Sequence, residues 1–270
     1  MKNVIILGSS SGFGRATAIK LAEEGFNIFG VHLDFGKNKE KAEELADELR
    51  TKGVFVKFYN SNAADDFNRV DIIKDIESEL QGLENKKINV LIHSLAFGAL
   101  GPLIHEDATK QLTRKKMDMT LNVMANSLLY WSQDLFHSNL FAENARIFAL
   151  TSAGSGGVMM NYGGISVAKC ALEAYVRQLA VELAPYKITC NALMPGTTDT
   201  PAGNVIPGFK QMLNFAKQIN PYKRNTEPTD IANVIALLSD EKSYWITGQI
   251  IGVDGGEDIV HFVPDDNDIN

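Results

Sequence analysis

Two groups of residues in this chain have the type and spacing to do chemistry. The first is Gly8-Ser9-Ser10-Ser11-Gly12-Phe13-Gly14, set between an apolar run that ends at Gly8 and a helical pattern from Arg15 to Glu24. Glycine permits a tight turn and close approach of the backbone to a pyrophosphate. A helix that follows such a turn aims free N–H groups and its positive dipole end at the anion. A glycine-rich turn is a weak signal alone, and its place between strand and helix gives it meaning. The second group is Tyr162 and Lys169, with six residues between them. Seven helical positions return to nearly the same face about 10 Å along the axis. A phenol at a helix start and an amine two turns in can therefore face one cleft. Read singly, Tyr162 is an ordinary half-buried aromatic and Lys169 a surface residue of an amphipathic helix. Their spacing, in a chain with the glycine turn, points to a site.

The elements that must position these groups are legible as alternating patterns. Short apolar runs at Asn3–Gly8, Phe26–Leu33, Val54–Tyr59, Ile88–His93, Arg146–Thr151, Ile188–Leu193 and Gln249–Val253 are mostly rich in Val, Ile and Leu. Such runs suit parallel strands covered on both faces. Between them lie amphipathic stretches, including Lys39–Thr51, Phe67–Gln81, Thr113–Phe136, Ser166–Ala184 and Thr229–Ser239. This rhythm predicts an α/β fold. The expectation is a single Rossmann-type doubly wound parallel sheet of about seven strands, in the order 3-2-1-4-5-6-7, flanked by helices. No repeat or low-complexity linker divides the chain, so residues 1–270 read as a single dinucleotide-binding domain. Residues 197–224 break the rhythm with Pro201, Pro207 and Pro221 and read as a loop with one short helix. An insertion after a strand's carboxyl end is a natural substrate lid. The acidic stretch from Pro264 to Asn270 reads as a frayed end.

Bulk properties narrow the function. With 45% hydrophobic and 22% charged residues the chain is an ordinary globular protein,. A net charge of -7 argues against nonspecific nucleic-acid binding,. The apolar start is too short for a signal peptide, and no run approaches the roughly 20 residues of a membrane span. A cytoplasmic protein is expected. The two cysteines, Cys170 and Cys190, and five scattered histidines have no metal-ligand spacing, so no metal is expected,.

With its G-x-x-x-G-x-G turn, the chain resembles the short-chain dehydrogenase/reductase family over nearly its whole length. Asn191-Ala192-Leu193-Met194-Pro195-Gly196 is similar to the family's N-x-x-x-P-G segment, and Val253-Asp254-Gly255-Gly256 to its closing turn. Most of the family spaces its tyrosine and lysine Y-x-x-x-K; six intervening residues mark the divergent branch that includes enoyl-acyl-carrier-protein reductases. His93-Ser94-Leu95-Ala96-Phe97-Gly98 and Ala168-Lys169-Cys170-Ala171-Leu172-Glu173-Ala174 resemble that branch. The resemblance places Met124 where the main family keeps a catalytic asparagine. It departs at Ser152, where many enoyl reductases carry a second tyrosine ten residues before the first. Thr151 or Ser152 could then act like the main family's substrate-binding serine, which keeps carbonyl reduction open.

The resemblance implies NAD or NADP. Contacts would come from Gly8, Ser10, Ser11, Gly12, Phe13 and Gly14 in the turn, and from Asn62 and Ala63 at the adenine. Ser94, Leu95, Ala96, Pro195, Gly196, Thr198 and Thr200 would follow toward the nicotinamide. The usual acidic position at the tip of the second strand holds His32, with Asp34 two further on. An acid there accepts from ribose hydroxyls and repels a 2′-phosphate. Asp34 serves either as that contact or as a solvated loop residue, so NADH is slightly favoured while Lys37 and Lys39 leave NADPH open. Tyr162, Lys169 and Ser152 are the implied catalytic residues. Tyr162, protonated at neutral pH, would donate to an enolate oxygen, and Lys169 would hold ribose hydroxyls. The substrate would be an enoyl thioester, free or borne by acyl carrier protein. Arg114, Lys115, Lys116, Lys210, Lys217, Lys223 and Arg224 form either a docking patch or a solvated face. The alternatives are a ketoreductase or secondary-alcohol dehydrogenase and a silent NAD-binding protein. The resemblance further implies a homotetramer or homodimer, formed through the helices at 113–136 and 166–184.

Overall fold

Strand β1, Asn3–Leu7, is fully buried, and its side chains divide by parity between two layers. Val4 and Ile6 pack with Ala18, Leu21, Leu45, Leu49, Ile231 and Ile235 on one face. Ile5 and Leu7 pack with Ile72, Ile76, Trp131, Leu135, Leu172 and Val176 on the other. Burial on both faces explains why the strand has no polar alternation. The computed structural model describes residues 1–260, and the acidic stretch from Pro264 lies outside them.

Among the described residues, β2 (Asn27–His32), β3 (Val56–Asn60), β4 (Ile88–His93), β5 (Phe141–Leu150), β6 (Thr189–Pro195) and β7 (Ile250–Val253) complete a parallel sheet. Its order is β3-β2-β1-β4-β5-β6-β7, as the alternation of elements predicts. Helices α1 (Gly12–Glu23), α2 (Lys37–Arg50) and α8 (Pro228–Leu238) cover one face. Helices α3 (Asp66–Gln81), α5 (Ser127–His137) and α6 (Gly163–Glu182) cover the other, with α4 (Arg114–Leu121) leading into α5. The register pairs Leu7 with Val31 and His93, His93 with Ala149, and Leu150 with Leu193. The strands therefore end together, bringing Gly8, His32, Ser94, Thr151 and Pro195 to one edge. Among the described residues no helix is long and apolar enough to cross a membrane.

Three local departures from the sequence expectation matter for the site. The pattern over 113–136 is not one α-helix, because a π turn at Asn122–Asn126 separates α4 from α5. The wide turn is held from outside: Asn122 donates to Ala64 O and Asn126 accepts from the Tyr175 hydroxyl, each at 3.0 Å. Helix α6 begins at Gly163 rather than Ser166. Gly163 and Gly164 are packing positions inside it, where a Cβ would meet Leu103 and Leu112 at 2.9 and 2.8 Å. Strand β5 begins at Phe141, five residues before the apolar run, with a register irregularity opposite Ile88–Val90. Residues 197–224 contain a 3-10 turn at Gly203–Val205 and α7, Phe209–Ile219.

Candidate active site

A cavity of about 730 Å³ runs along the carboxyl edge of the sheet. One wall is the glycine turn. Gly8 has φ +91°, and a Cβ there would stand 2.6 Å from Ser94 O, so the turn can lie against the end of β4 only without a side chain,. Gly12, at φ +51°, faces the cavity, where a Cβ would meet only Thr200 carbons beyond 3.5 Å. The N-terminus of α1 carries no side-chain cap. Uncapped N–H groups beside a glycine wall fit an anionic pyrophosphate. Ser10, Ser11 and Phe13 line the same wall. Gly14 is not among the residues lining the cavity. A Cβ there would overlap Gly8 O at 1.9 Å, so its glycine serves the packing of α1 on the turn.

Past the glycine wall lie His32, Asp34, Asn62 and Ala63. His32 is buried and its Nδ1 lies 2.8 Å from Asp34 Oδ2. Asn60 clamps the Asp34 backbone, accepting from its N–H and donating to its carbonyl, both at 2.9 Å. Asp34 is thus a fixed cavity carboxylate rather than a solvated loop residue. Lys37 and Lys39 are exposed at the start of α2 and are not among the residues lining this wall. Asn62 accepts from the Ala64 N–H at 3.0 Å, turning the chain after β3. Ser94, Leu95, Ala96, Pro195, Gly196, Thr198 and Thr200 follow along the cavity.

Tyr162 and Lys169 both line the far end. The Tyr162 ring packs with Met124, Ile165 and Ala168, and glycine at 154 makes room for it, since a Cβ there would meet the ring at 2.7 Å. Its hydroxyl lies 3.5 Å from Ser152 Oγ. Burial raises the Tyr162 pKa, with the Ser152 hydrogen bond a smaller opposing effect, so the phenol stays protonated,. Lys169 donates to Leu150 O at 2.6 Å, and burial brings its pKa down to about 8 against the opposing pull of Glu173. His93, fully buried at the end of β4, is pushed down to about 3 by burial, with the Lys169 charge adding to the effect. Ser127 gives its proton to Val123 O at 2.8 Å, so His93 Nε2–H is the donor to Ser127 Oγ, also at 2.8 Å.

Thr151 and Ser152 differ in partners: Thr151 donates to Glu173 Oε1 at 2.5 Å, whereas Ser152 meets Tyr162. Glu173 and Glu257 are polar site residues absent from the sequence reading. Glu173 was visible only as part of the Ala168–Ala174 run. Glu257, immediately after Gly255-Gly256, accepts from Thr197 N and Oγ1 at 3.0 and 2.6 Å. The remaining wall is apolar: Leu100, Met119 and Met159, with Ile206, Phe209 and Met212 from segment 197–224. Of the basic candidates, Arg114 sits 3.6 Å from Asp118, and Arg224 forks onto Asp230 at 2.7 and 2.9 Å.

An uncapped helix over a glycine turn and a tyrosine–lysine pair in one cavity define a dinucleotide-binding oxidoreductase. Residues 8–257 match the family described as Enoyl-(Acyl carrier protein) reductase. The chain is 30% identical over 259 residues to a 3-oxoacyl-[acyl-carrier-protein] reductase of Staphylococcus epidermidis, covering 94% of this chain and 98% of the relative. It is 28% identical over 265 residues to an enoyl-[acyl-carrier-protein] reductase [NADH] of Nostoc, covering 96% and 97%. It shares its fold with the crystal structure of an enoyl-[acyl-carrier-protein] reductase (NADH) from Aquifex aeolicus, with a TM-score of 0.83 and 22% identity over 97% of this chain and 98% of that one. The chain belongs to the short-chain dehydrogenase/reductase family of NAD(P)-dependent oxidoreductases.

Proposed function

We propose that this enzyme reduces the carbon–carbon double bond of an enoyl thioester carried by acyl carrier protein, with NADH preferred. The observation that carries the reading is the setting of the Tyr162 phenol, clamped among Met124, Ile165 and Ala168. Among the described residues its hydroxyl has one hydrogen-bond neighbour, Ser152. In carbonyl reduction the phenol hands over its proton and needs a polar relay to recover it. Met124, which packs on the phenol and which the resemblance places opposite the main family's asparagine, offers none. In enoyl reduction the phenol needs only to donate a hydrogen bond to the thioester oxygen as negative charge develops there. Such a donor acts in the transition state, and losing one commonly costs about a hundredfold or more.

A reduced nicotinamide, when bound, supplies hydride. The turn from Gly8 to Phe13 would hold its pyrophosphate, Asp34 the adenosine ribose, and Lys169 the other ribose with positive potential beneath it. The apolar wall of Met119, Met159, Ile206, Phe209 and Met212 suits an acyl chain,. Segment 197–224 is read as the lid over it. The fixed Asp34 carboxylate favours NADH, and a higher kcat/KM with NADPH reverses that preference. Lys210 and Lys217, exposed on the helix that lends Phe209 and Met212 to the cavity, are the basic groups proposed to meet an acidic carrier.

The second reading, carbonyl reduction, is favoured by the Ser152–Tyr162 contact, which offers two donors to one oxygen. Cofactor depletion with crotonyl-thioester against acetoacetyl-thioester separates the two. Turnover of the crotonyl substrate alone upholds the proposal, turnover of the acetoacetyl substrate alone replaces it, and binding of NADH without turnover of either leaves a nucleotide-binding protein.

A further inference from the structure

Glu173 is a carboxylate in an improbable place. It lies one helical turn beyond Lys169 on the same face of α6, and both residues are buried, at 8% and 5% exposure. Carboxylates are almost never buried without a partner. Its Oε1 is fixed by Thr151 Oγ1 at 2.5 Å, the residue that leads from β5 to Ser152. The Lys169 amine, four positions earlier, is held by Leu150 O at 2.6 Å. Leu150, the last residue of β5, and Thr151, which follows it, thus hold the amine and the carboxylate on one face of α6 without a direct ion pair within 4 Å.

A buried amine tends to shed its proton, yet a cationic Lys169 is what a ribose-holding and charge-stabilising role requires. Among the described residues, the other titratable groups beside it give no negative charge. His93 from β4 is neutral through burial and the Lys169 charge. Tyr162 is held protonated by burial. From β6 the Cys190 thiol is likewise kept protonated by burial. The π turn at Asn122–Asn126 and the 3-10 turn at Ala153–Ser155 carry no titratable side chain. The charged residues of α4 are exposed, and Asp134 of α5 is bound by Arg69 at 2.6 Å.

We propose that Glu173 is a positioning residue that acts as the buried counter-charge of Lys169, keeping the amine cationic at neutral pH while Thr151 fixes the carboxylate. The inference rests on the reading of Lys169 as a cofactor-holding group, and it sets the upper pH limit for that task. Lys169 loses its charge as pH rises through about 8. Without the Glu173 charge the same loss comes at lower pH. Glu173→Gln keeps an acceptor for Thr151 and deletes the charge, and Glu173→Asp withdraws the charge by one methylene.

The test follows the Lys169 Cε resonance by 13C NMR across pH in the full-length protein without cofactor, assigned by its absence in Lys169→Arg. The expected order of titration midpoints is wild type, then Glu173→Asp, then Glu173→Gln, each lower than the last. In parallel, the NADH dissociation constant is read by fluorescence. It should match wild type for Glu173→Gln at pH 6 and be severalfold weaker at pH 8. Should Glu173→Gln fail to fold, Glu173→Asp carries the comparison. Equal midpoints in the folded variants, or a loss of affinity that is the same at every pH, overturn the inference. Failure of the wild type to bind NADH or NADPH overturns the cofactor role of Lys169 instead, and the NMR titration still judges the pairing.

Discussion

The hydroxyls of Ser152 and Tyr162, ten residues apart in the chain, meet at 3.5 Å at the end of the cavity that also holds Lys169. The β5–α6 connection makes this possible, with Gly154 leaving room for the phenol ring. The pair gives the two readings of the reaction different mutational signatures. Tyr162→Phe should lower kcat by about a hundredfold or more, with cofactor affinity nearly intact. Ser152→Ala should cost little if the substrate is an enoyl thioester, because Tyr162 remains as donor. It should cost nearly as much as Tyr162→Phe if the substrate is a ketone, whose oxygen uses both hydroxyls. Lys169→Ala should weaken cofactor binding as well as turnover. Steady-state kinetics and cofactor titration of the three variants decide it, and near-normal turnover by Tyr162→Phe would defeat the scheme.

The glycine turn divides by task, and substitution should expose the division. At Gly14 a methyl would overlap the Gly8 carbonyl, which is backbone and cannot give way. Gly14→Ala should cost about 3 kcal/mol or more in stability. At Gly12 the methyl meets no backbone, but the left-handed φ of +51° strains any other residue by about 1–2 kcal/mol,. Gly12→Ala should therefore fold and bind dinucleotide at least tenfold more weakly, since its methyl enters the cavity. Thermal unfolding and NADH titration read the two effects separately.

The sheet was legible because two-sided burial writes Val, Ile and Leu runs into the strands, as Val4–Leu7 and Val90–Ile92 illustrate. The glycine turn was legible because its chemistry is local. The packing task of Gly14 was not legible, because spacing does not tell a glycine that faces a ligand from one that faces a carbonyl. The packing purpose of Gly163 and Gly164, close contact with Leu103 and Leu112, is tertiary and leaves no mark in the sequence pattern. Glu173 stood out only within the Ala168–Ala174 run, since its partner Thr151 lies 22 positions away. The site's polar support is made of such distant pairs, which periodicity does not report.

Acid stability should carry the mark of His93. Its pKa in the folded protein is about 3, against an ordinary 6.5. Below pH 6.5 the unfolded chain takes up a proton that the folded protein refuses until about pH 3. The stability present above 6.5 is therefore lost as pH falls, by up to about 1.4 kcal/mol per unit. His93→Gln retains an N–H donor for Ser127 and has no such titration. The difference in unfolding free energy between wild type and variant should shift in the variant's favour from pH 6.5 to 4. Urea unfolding at several pH values measures this, and a constant difference would place the acid sensitivity elsewhere.

Glu257 ties the closing turn after β7 to the first residue beyond Gly196, sixty positions earlier, through the Thr197 N–H and hydroxyl. The segment that starts there carries Ile206, Phe209 and Met212 onto the cavity. Its entry angle is thus set by a carboxylate that itself lines the cavity. A hydrogen bond to a charged group contributes about 1.5–3 kcal/mol, enough to decide whether the segment rests on the site or swings from it. Glu257→Ala should raise KM for whichever acyl substrate is turned over more than it lowers kcat and speed proteolytic cleavage within residues 197–224. Glu257→Gln, which keeps an acceptor without the charge, should fall between. Limited proteolysis alongside kinetics tests the anchor: cleavage at the wild-type rate in Glu257→Ala would mean that the segment is held by its apolar contacts alone, with the carboxylate a bystander.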